Sequence, residues 1–264
     1  IGGHDRARDE AQAQGLPRFS DRELDRVEKI GAKIIVWNDP GYPPLLKNIP
    51  DAPPVLYMKG QLTAADREWT IAIVGTRKAS AYGRQAAETL AQELTRNGIT
   101  IVSGLARGID AAAHEAALSA GGRSIGVLAC GIDQVYPPEH KRLADRLTEH
   151  GAVMTEMPIG SPPEAGTFPA RNRIISGLAL GTIVIEAGET SGALITSDRS
   201  LEQGREVFAV PGNIFSKASL GTNRLIKEGA TLITSAQDVM EALNLKMVVE
   251  HAEAQAAALE DLGH

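Results

Sequence analysis

Short apolar runs and longer mixed segments alternate along the chain from residue 71 to residue 234. The apolar runs are nearly continuous in Ile, Val and Ala, which is typical of strands buried on both faces of a sheet. Strands are predicted in this part of the chain at residues 71–74, 99–102, 124–129, 152–155, 182–186, 206–210 and 231–234. Helices are predicted between most of them, at residues 83–97, 109–120, 139–150, 171–179, 193–203 and 221–227.

This alternation predicts the α/β class, with a doubly wound, mostly parallel sheet and helices on both faces. Right-handed crossovers place all strand-to-helix loops along one edge of such a sheet. We therefore expect a ligand at that edge, beside the carboxyl ends of the strands.

The first part of the chain has a different pattern and is interpreted as a small N-terminal appendage. A polar segment at residues 1–30 is predicted to be helical, because Ser20 and Glu23 form a capping box. Strands are predicted at residues 33–37 and 55–59, on either side of an irregular, proline-rich segment. We divide the chain into an appendage, an α/β domain and a tail or linker, at residues 1–66, 67–243 and 244–264.

Two predicted strands run straight into glycine-containing turns. In the first turn, Gly75 permits close approach of a ligand, Thr76 offers a hydroxyl and Arg77 offers a fork of donors that fits phosphate. The second turn leads into a helix N-terminus, which favours anions. Its candidate binding residues are Ser103, Gly104, Arg107 and Gly108. A plain turn with a surface arginine explains the first motif equally well, so both interpretations stay open.

Three side chains near the second turn carry expectations of their own. Asp110 is expected to cap the helix, because a carboxylate does not suit an anion site. Arg107 either reaches the ligand or pairs with Asp110. His114 lies one turn further on and is expected on the helix surface.

The most distinctive run lies at residues 167–177, where an aromatic residue and a proline precede two arginines around an asparagine. Side chains two positions apart on a helix point in different directions. One of Arg171 and Arg173 is therefore expected to face the ligand, and the other to pack or pair elsewhere. Phe168 either stacks on a nucleobase or fills the core. The candidate binding residues of this run are Phe168, Arg171, Asn172 and Arg173.

A further glycine-rich loop follows the strand predicted at residues 182–186. Ser191 and Gly192 are candidate donors to phosphate, although Glu186 and Glu189 in the same loop would repel it. Tyr136 and His140 lie in another loop of this edge, where the sequence gives them no defined role. Each loop alone is weak evidence, and their coincidence on one sheet edge is the stronger indication.

Charge and cysteine content narrow the class of protein. The formal net charge is −6, but most of the acidic excess follows residue 177, so the segment with the proposed loops is about neutral. No apolar run approaches the roughly 18 residues of a membrane span, and we expect no membrane partner. The one cysteine, Cys130, cannot form an internal disulfide, which favours the reducing cytoplasm.

Several signatures of cofactor and hydrolase chemistry are absent from the sequence. It contains no Gly-x-Gly triplet, no phosphate loop ending in Gly-Lys-Ser/Thr, no His-Glu-x-x-His and no Gly-x-Ser-x-Gly. Its six histidines show no metal-ligand spacing. We therefore expect no cofactor, no metal and no catalytic residue.

Taken together, the motifs of residues 33–243 closely resemble the bacterial DNA-processing protein A family (DprA, also called Smf). The motifs are Gly-Thr-Arg at 75–77, Ser-Gly-Leu-Ala-Arg-Gly-Ile-Asp at 103–110, Cys-Gly-Ile-Asp at 130–133, Tyr-Pro-Pro-Glu-His at 136–140, Phe-Pro-Ala-Arg-Asn-Arg-Ile-Ile-Ser-Gly-Leu at 168–178 and Ser-Gly-Ala-Leu-Ile-Thr at 191–196. Several multi-residue motifs in this order make the resemblance specific.

The resemblance implies an extended Rossmann-like domain that binds single-stranded DNA without sequence preference. It also implies protection of incoming DNA during natural transformation, loading of the RecA recombinase, a homodimer and no enzymatic activity. Carried over by position, the DNA contacts are Arg77, the 103–108 loop, Phe168, Arg171, Asn172 and Arg173. Family members often carry an N-terminal helical domain, of which residues 1–30 look like a remnant, and a C-terminal winged helix, which we expect to be absent.

A second hypothesis belongs to another class, a nucleotide-processing enzyme such as a phosphoribohydrolase on a related fold. Glu186 and Glu189 beside the glycine-rich loop would then act as general acid or base. The lack of a convincing nucleophile and base pair in the sequence counts against it.

Overall fold

The computed structural model describes residues 21–245. The predicted Ser20 cap and the tail from residue 246 onward lie outside the described residues. The strands are β1 Lys33–Val36, β2 Val55–Gly60, β3 Thr70–Val74, β4 Thr100–Ser103, β5 Ser124–Val127, β6 Gly151–Thr155, β7 Gly181–Val184, β8 Glu206–Ala209 and β9 Thr231–Leu232. The α-helices are α1 Asp21–Lys29, α2 Pro44–Lys47, α3 Ala64–Glu68, α4 Ala81–Arg96, α5 Ile109–Ser119, α6 Lys141–Glu149, α7 Thr167–Gly177, α8 Gly192–Glu202, α9 Leu220–Lys227 and α10 Ala236–Ala242.

The nine strands found within residues 21–245 form one sheet in the order β1-β2-β6-β5-β4-β3-β7-β8-β9. The seven strands from β6 to β9 run parallel, and β1 and β2 add an antiparallel ribbon at the β6 edge. The predicted doubly wound, mostly parallel fold is therefore confirmed. The predicted appendage contributes strands to the same sheet, and its boundary at residue 66 remains an interpretation.

Side chains of the central strand β3 pack alternately against the two helical layers. Ile71 and Ile73 join one core cluster, which includes residues of α4, α5 and α10. Ala72 and Val74 join the cluster on the opposite face, which includes residues of α2, α7, α8 and α9. Every residue of β3 is buried, which explains the continuous apolar run in the sequence.

The order of the strands reverses at β3. The chain passes from β3 to β4, β5 and β6 on one side, and then returns through α7 to place β7 on the other side of β3. In a doubly wound sheet a crevice opens outside the carboxyl ends of the strands at such a reversal. The loops after β3 and β7 and the helix α7 therefore meet at this crevice.

Several short helices and one helix boundary differ from the sequence prediction. The helices α2, α3 and α10 were not predicted. The start of α10 does carry a sequence signal, because Ser235 and Asp238 form a capping box there. The helix predicted at residues 171–179 starts earlier than predicted, because α7 already begins at Thr167. Pro169 lies in its first turn, where the missing N–H group is not needed.

A buried carboxylate ties β4 and β5 to the segment before β3. Asp66 accepts a hydrogen bond from Thr100 Oγ1 at 2.7 Å. It also accepts a bifurcated hydrogen bond from Arg123 Nε, which lies 2.9 and 2.8 Å from its two carboxylate oxygens. Burial acts to raise the pKa of Asp66, but the hydrogen bonds from Arg123, Thr63 and Thr100 outweigh it and leave that pKa lowered. A carboxyl group with a lowered pKa stabilises the fold at neutral pH.

We expect Arg123→Ala to lower the free energy of unfolding by about 3 kcal/mol, because it leaves the Asp66 carboxylate buried without a cation. The stabilisation by Asp66 is present above the unfolded pKa of about 4 and is lost as the pH falls through the lower folded pKa. The wild-type stability should therefore fall more steeply below about pH 4 than that of the variant.

Urea unfolding at several pH values measures both effects. Arg146→Ala is the matched control, because Arg146 pairs with Glu115 on the exposed surface, and we expect a loss below about 1 kcal/mol. Equal losses in the two variants would contradict the assigned role of Asp66.

Candidate nucleic-acid interface

A cavity of about 670 Å³, here named the main cavity, opens at the reversal of strand order. Its walls come from the loops after β3 and β4, from α7 and from the N-terminus of α8. Seven of the candidate binding residues predicted from the sequence line it, namely Gly75, Arg77, Phe168, Arg171, Asn172, Ser191 and Gly192. The structure thus brings together residues that lie more than a hundred positions apart in the sequence.

The two turns predicted after β3 and β4 interlock without room for side chains at their glycines. A Cβ atom at Gly108 would overlap the carbonyl oxygen of Thr76, and Gly108 has a φ of 79°. A Cβ atom at Gly75 would lie 2.5 Å from the side chain of Ile109. The amide of Ile109 donates to the carbonyl of Thr76 at 3.2 Å. Gly108 therefore fixes one loop against the other.

Two buried charged side chains hold the loop after β4 from opposite sides. Asp110 accepts hydrogen bonds from the amides of Gly104 at 3.1 Å and Ala106 at 3.4 Å. Arg171 donates to the carbonyl of Gly104 at 2.8 Å and to the carbonyl of Val127. The expectation that Asp110 caps α5 is wrong, because its carboxylate instead braces the loop that precedes the helix.

The guanidinium of Arg171 packs directly on the backbone of Gly104. A Cβ atom at Gly104 would lie 2.7 Å from the central carbon and both terminal nitrogens of that guanidinium. Burial lowers the pKa of Arg171 to about 10, with Asp110 opposing the shift. Burial likewise raises the pKa of Asp110, while Arg171 and the loop amides oppose it. Arg171 remains a cation at neutral pH and places positive potential at the wall of the cavity.

Arg77 is the exposed arginine at the mouth of the main cavity. Its guanidinium carbon lies 5.2 Å from the ring centroid of Phe168, which is a cation–π contact. The ring of Phe168 lies 5.6 Å from the ring of Tyr136. Arg77 makes no ion pair within residues 21–245. An exposed cation and two aromatic rings therefore form one surface.

Phe168 is half-buried and lines the main cavity, so the core alternative for this residue does not hold. The side chain of Tyr136 is 39% exposed and contacts Phe168. The sequence alone did not predict a role for Tyr136, because Phe168 lies 32 positions away along the chain. The sequence signals at this position are the loop between a strand and a proline-started helix and the Tyr-Pro-Pro-Glu-His motif at 136–140. We add Tyr136 to the candidate binding residues.

Arg171 and Arg173 point in different directions, as their spacing predicts. Arg173 turns away from the main cavity and pairs with Glu156 at 2.5 Å and with Asp51 at 3.0 Å. Asn172 lies between them and donates to the carbonyl of Gly192 at 3.4 Å, which links α7 to α8. The predicted DNA contact of Arg173 stays a prediction, and it would require those two ion pairs to open.

The remaining residues predicted after β4 are only partly available to a ligand. Ser103 is fully buried and its hydroxyl donates to the carbonyl of Ile73 at 2.6 Å. Of the two alternatives for Arg107, the pairing with Asp110 is wrong, because Arg107 pairs with Glu139 at 2.5 Å on the exposed surface. The contact with a ligand stays a prediction. Gly104 and Arg107 line a smaller cavity that also contains Arg77, Tyr136 and Phe168.

Two acidic or basic side chains considered in the sequence are buried structural groups. Glu186, exposed to 2%, accepts hydrogen bonds from Ser80 N at 2.9 Å and Ser80 Oγ at 2.5 Å, and so holds the N-cap residue of α4. His114 is fully buried, so the expectation of a surface position is wrong. Its Nδ1 lies 2.7 Å from Ser124 Oγ, and burial lowers its pKa to about 3.

Comparison with known proteins identifies the family of this chain. The family model for DNA recombination-mediator protein A matches residues 33–244. The chain belongs to this family. It is 46% identical to the DNA processing protein DprA of Bacillus subtilis, over 84% of this chain and 75% of that protein. It is 47% identical to the protein Smf of Escherichia coli, over 88% of this chain and 63% of that protein.

Two solved structures of the family share the fold. The DNA processing protein A of Streptococcus pneumoniae matches with a TM-score of 0.78 and 44% identity, over 84% of this chain and 78% of the other. The protein of Helicobacter pylori, described for its single-stranded DNA binding mode, matches with a TM-score of 0.72 and 30% identity, over 80% and 95% of the two chains. Within residues 21–245 the helices are too short or too polar to cross a membrane.

We expect Gly108→Ala to lower the free energy of unfolding by about 3 kcal/mol, because it adds a Cβ atom at a positive φ and against the turn at Thr76. Gly166→Ala is the control, since no atom lies within 4 Å of the added Cβ, and its effect should stay below about 0.5 kcal/mol. Urea unfolding of both variants compares them. Similar stabilities would show that the two turns do not interlock.

Proposed function

We propose that this chain binds single-stranded DNA without sequence preference, with the main cavity and its mouth as the contact surface. The observation that carries the proposal is the surface formed by Arg77, Phe168 and Tyr136 at the carboxyl ends of the parallel strands. Membership of the family and the likeness to the Helicobacter pylori structure support the proposal.

The surface suits the two repeating parts of a DNA strand. Arg77 provides donors for a phosphate, and the buried Arg171 adds positive potential behind it. The faces of Phe168 and Tyr136 suit a nucleobase, and every base has a face that stacks on an aromatic ring. Bases of a duplex are already stacked inside the helix, so this surface favours a single strand.

We propose further that the protein acts as a recombination mediator that protects incoming DNA during natural transformation and helps to load the RecA recombinase. The family model is described as a recombination mediator, which supports this role. The sequence resemblance supports a homodimer, and the single cysteine, Cys130, supports a cytoplasmic location. The chain spans 63% of its Escherichia coli relative, so these activities are proposed for the protein as a whole.

We propose that no bond is made or broken at the site. The carboxylate of Glu186 is the only buried acid among those considered for catalysis in the described residues, and both of its oxygens accept from Ser80. Glu189 is exposed and lines neither the main cavity nor the smaller cavity beside Arg107. Incubation with nucleoside monophosphates, followed by chromatography, should release no free base. Release at enzymatic rates would favour the phosphoribohydrolase alternative instead.

We expect Arg77→Ala to weaken binding of an oligothymidylate by about five-fold or more, because one phosphate loses its cation. The slope of log K against log salt should become less steep by about 0.7, the value for one contact on a single strand. Fluorescence anisotropy over a salt series gives both quantities.

Arg96→Ala is the matched control for this experiment. Arg96 is exposed at the last turn of α4, at the opposite end of the helix that follows the Arg77 turn. The control should retain wild-type affinity and slope. An Arg77 variant that behaves like the Arg96 variant would remove Arg77 from the binding surface.

A further inference from the structure

A second cavity, here named the side cavity, lies at the same edge of the sheet and has a volume of about 440 Å³. Its walls come from the start of α4, from Glu186 after β7, and from the segment between β8 and α9. The lining side chains that matter here are Ser80, Tyr82, Glu186, Asn213, Ser216 and Ser219. We propose that this cavity binds a nucleobase of the same strand that the main cavity holds. This inference rests on the proposed function.

The two cavities are separated by one short stretch of chain. Gly75 lines the main cavity and Ser80 lines the side cavity. The stretch between them is tied to the end of β7, because Thr76 N donates to the carbonyl of Glu186 at 2.8 Å and Ser80 donates to its carboxylate. Arg77 and Lys78 are exposed on this stretch. A strand that leaves the main cavity across these two cations enters the side cavity next.

The chemistry of the side cavity excludes a phosphate and fits a base. None of its lining residues, all within the described part of the chain, carries a positive charge, and Glu186 contributes a carboxylate. The hydroxyl groups of Ser216 and Ser219 and the amide of Asn213 offer hydrogen bonds, whereas the Ser80 hydroxyl is already bonded to Glu186. The ring of Tyr82 and the ring of Pro211 provide flat apolar walls, and Tyr82 donates to the carbonyl of Pro211 at 2.7 Å. Aromatic or apolar walls with a few polar groups are typical of pockets for extruded bases.

A tight turn at the rim presents an aromatic ring to solvent. Ser216 N donates to the carbonyl of Asn213 at 2.9 Å, and Phe215 N donates to Asn213 Oδ1 at 2.9 Å. The two ends of this turn line the side cavity, and its tip carries Ile214 and Phe215, which are 72% and 89% exposed. Solvent exposure of a phenylalanine is costly, and a ring held at the rim of a base pocket is placed to stack on the base or its neighbour.

The carboxylate gives the side cavity a preference among bases. A carboxylate accepts a hydrogen bond from the exocyclic amino group of cytosine, but it repels the carbonyl oxygen that uracil has at the same ring position. Deoxycytidine and deoxyuridine differ in this group and in the N3 proton, which only uracil carries, so the comparison applies to a base held with its 4-substituent toward Glu186. In that orientation the side cavity is expected to favour deoxycytidine over deoxyuridine.

The experiment compares oligodeoxycytidine and oligodeoxyuridine of about 12 nucleotides, within the usual site size for single-strand binders, by fluorescence anisotropy. The wild-type protein should bind the cytidine oligonucleotide several-fold more tightly. Phe215→Ala should weaken binding of both by about five-fold, the low end for loss of one stacked base. Leu201→Ala, which removes another exposed apolar side chain, should change neither affinity.

Glu186→Gln tests the base preference directly, because an amide offers a donor where the carboxylate offers only acceptors. The Glu186→Gln variant should bind the cytidine and uridine oligonucleotides with equal affinity. Since Glu186 also holds Ser80, circular dichroism must show that the variant is folded. Ser216→Ala, at a half-buried position on the cavity wall, is the second variant and should reduce affinity for both oligonucleotides.

The possible results separate the inference from the proposed function. Equal affinities for the two oligonucleotides, with no effect of Phe215→Ala or Ser216→Ala, would overturn the side cavity as a subsite while leaving single-strand binding intact. Sedimentation that shows loss of self-association in Phe215→Ala, without loss of DNA binding, would assign the turn to a contact between copies and also overturn the inference. Failure of the wild-type protein to bind either oligonucleotide would overturn the proposed function itself.

Discussion

The contact between the Arg171 guanidinium and the backbone of Gly104 is the constraint on which the site depends. It joins α7, which crosses the sheet, to the ends of β4 and β5 through the carbonyls of Gly104 and Val127. The contact requires a glycine at position 104, because any side chain would overlap the guanidinium. Asp110 holds the same loop from its other side. Both walls of the main cavity therefore share one buried anchor.

This arrangement divides the arginines of the site into fixed and available groups. Arg171 is buried and Arg173 is paired, so each contributes to the position of α7. Arg77 is exposed above a rigid turn and rests on the ring of Phe168. A cation that is already held in place loses little conformational freedom when it binds a phosphate. By fixing α7, and with it the ring of Phe168, Arg171 and Arg173 keep Arg77 in position to bind a phosphate.

The strands could be predicted from the sequence because β3, β4, β5 and β7 are buried on both faces and therefore appear as apolar runs. The parallel strands in turn predicted the sheet edge at which the ligand is expected. The sequence also identified the Arg77 turn and the run from Phe168 to Arg173. It did not predict that Arg171 is buried or that His114 is internal, since both are polar residues whose burial depends on partners far along the chain. It gave no role to the exposed Tyr136 either, because the ring that Tyr136 contacts, Phe168, lies 32 positions away in the sequence. Hydrophobic periodicity reports which face an element buries, but it does not report which polar side chains find buried partners.

The most direct test of the account is photocrosslinking of a single-stranded oligonucleotide that carries one 5-iodouracil, followed by mass spectrometry of the crosslinked peptides. Iodouracil reacts with the aromatic ring on which it stacks, so the label reports where a base lies. We expect crosslinks to Phe168 or Tyr136, at the mouth of the main cavity. Crosslinks confined to residues outside both cavities would contradict it.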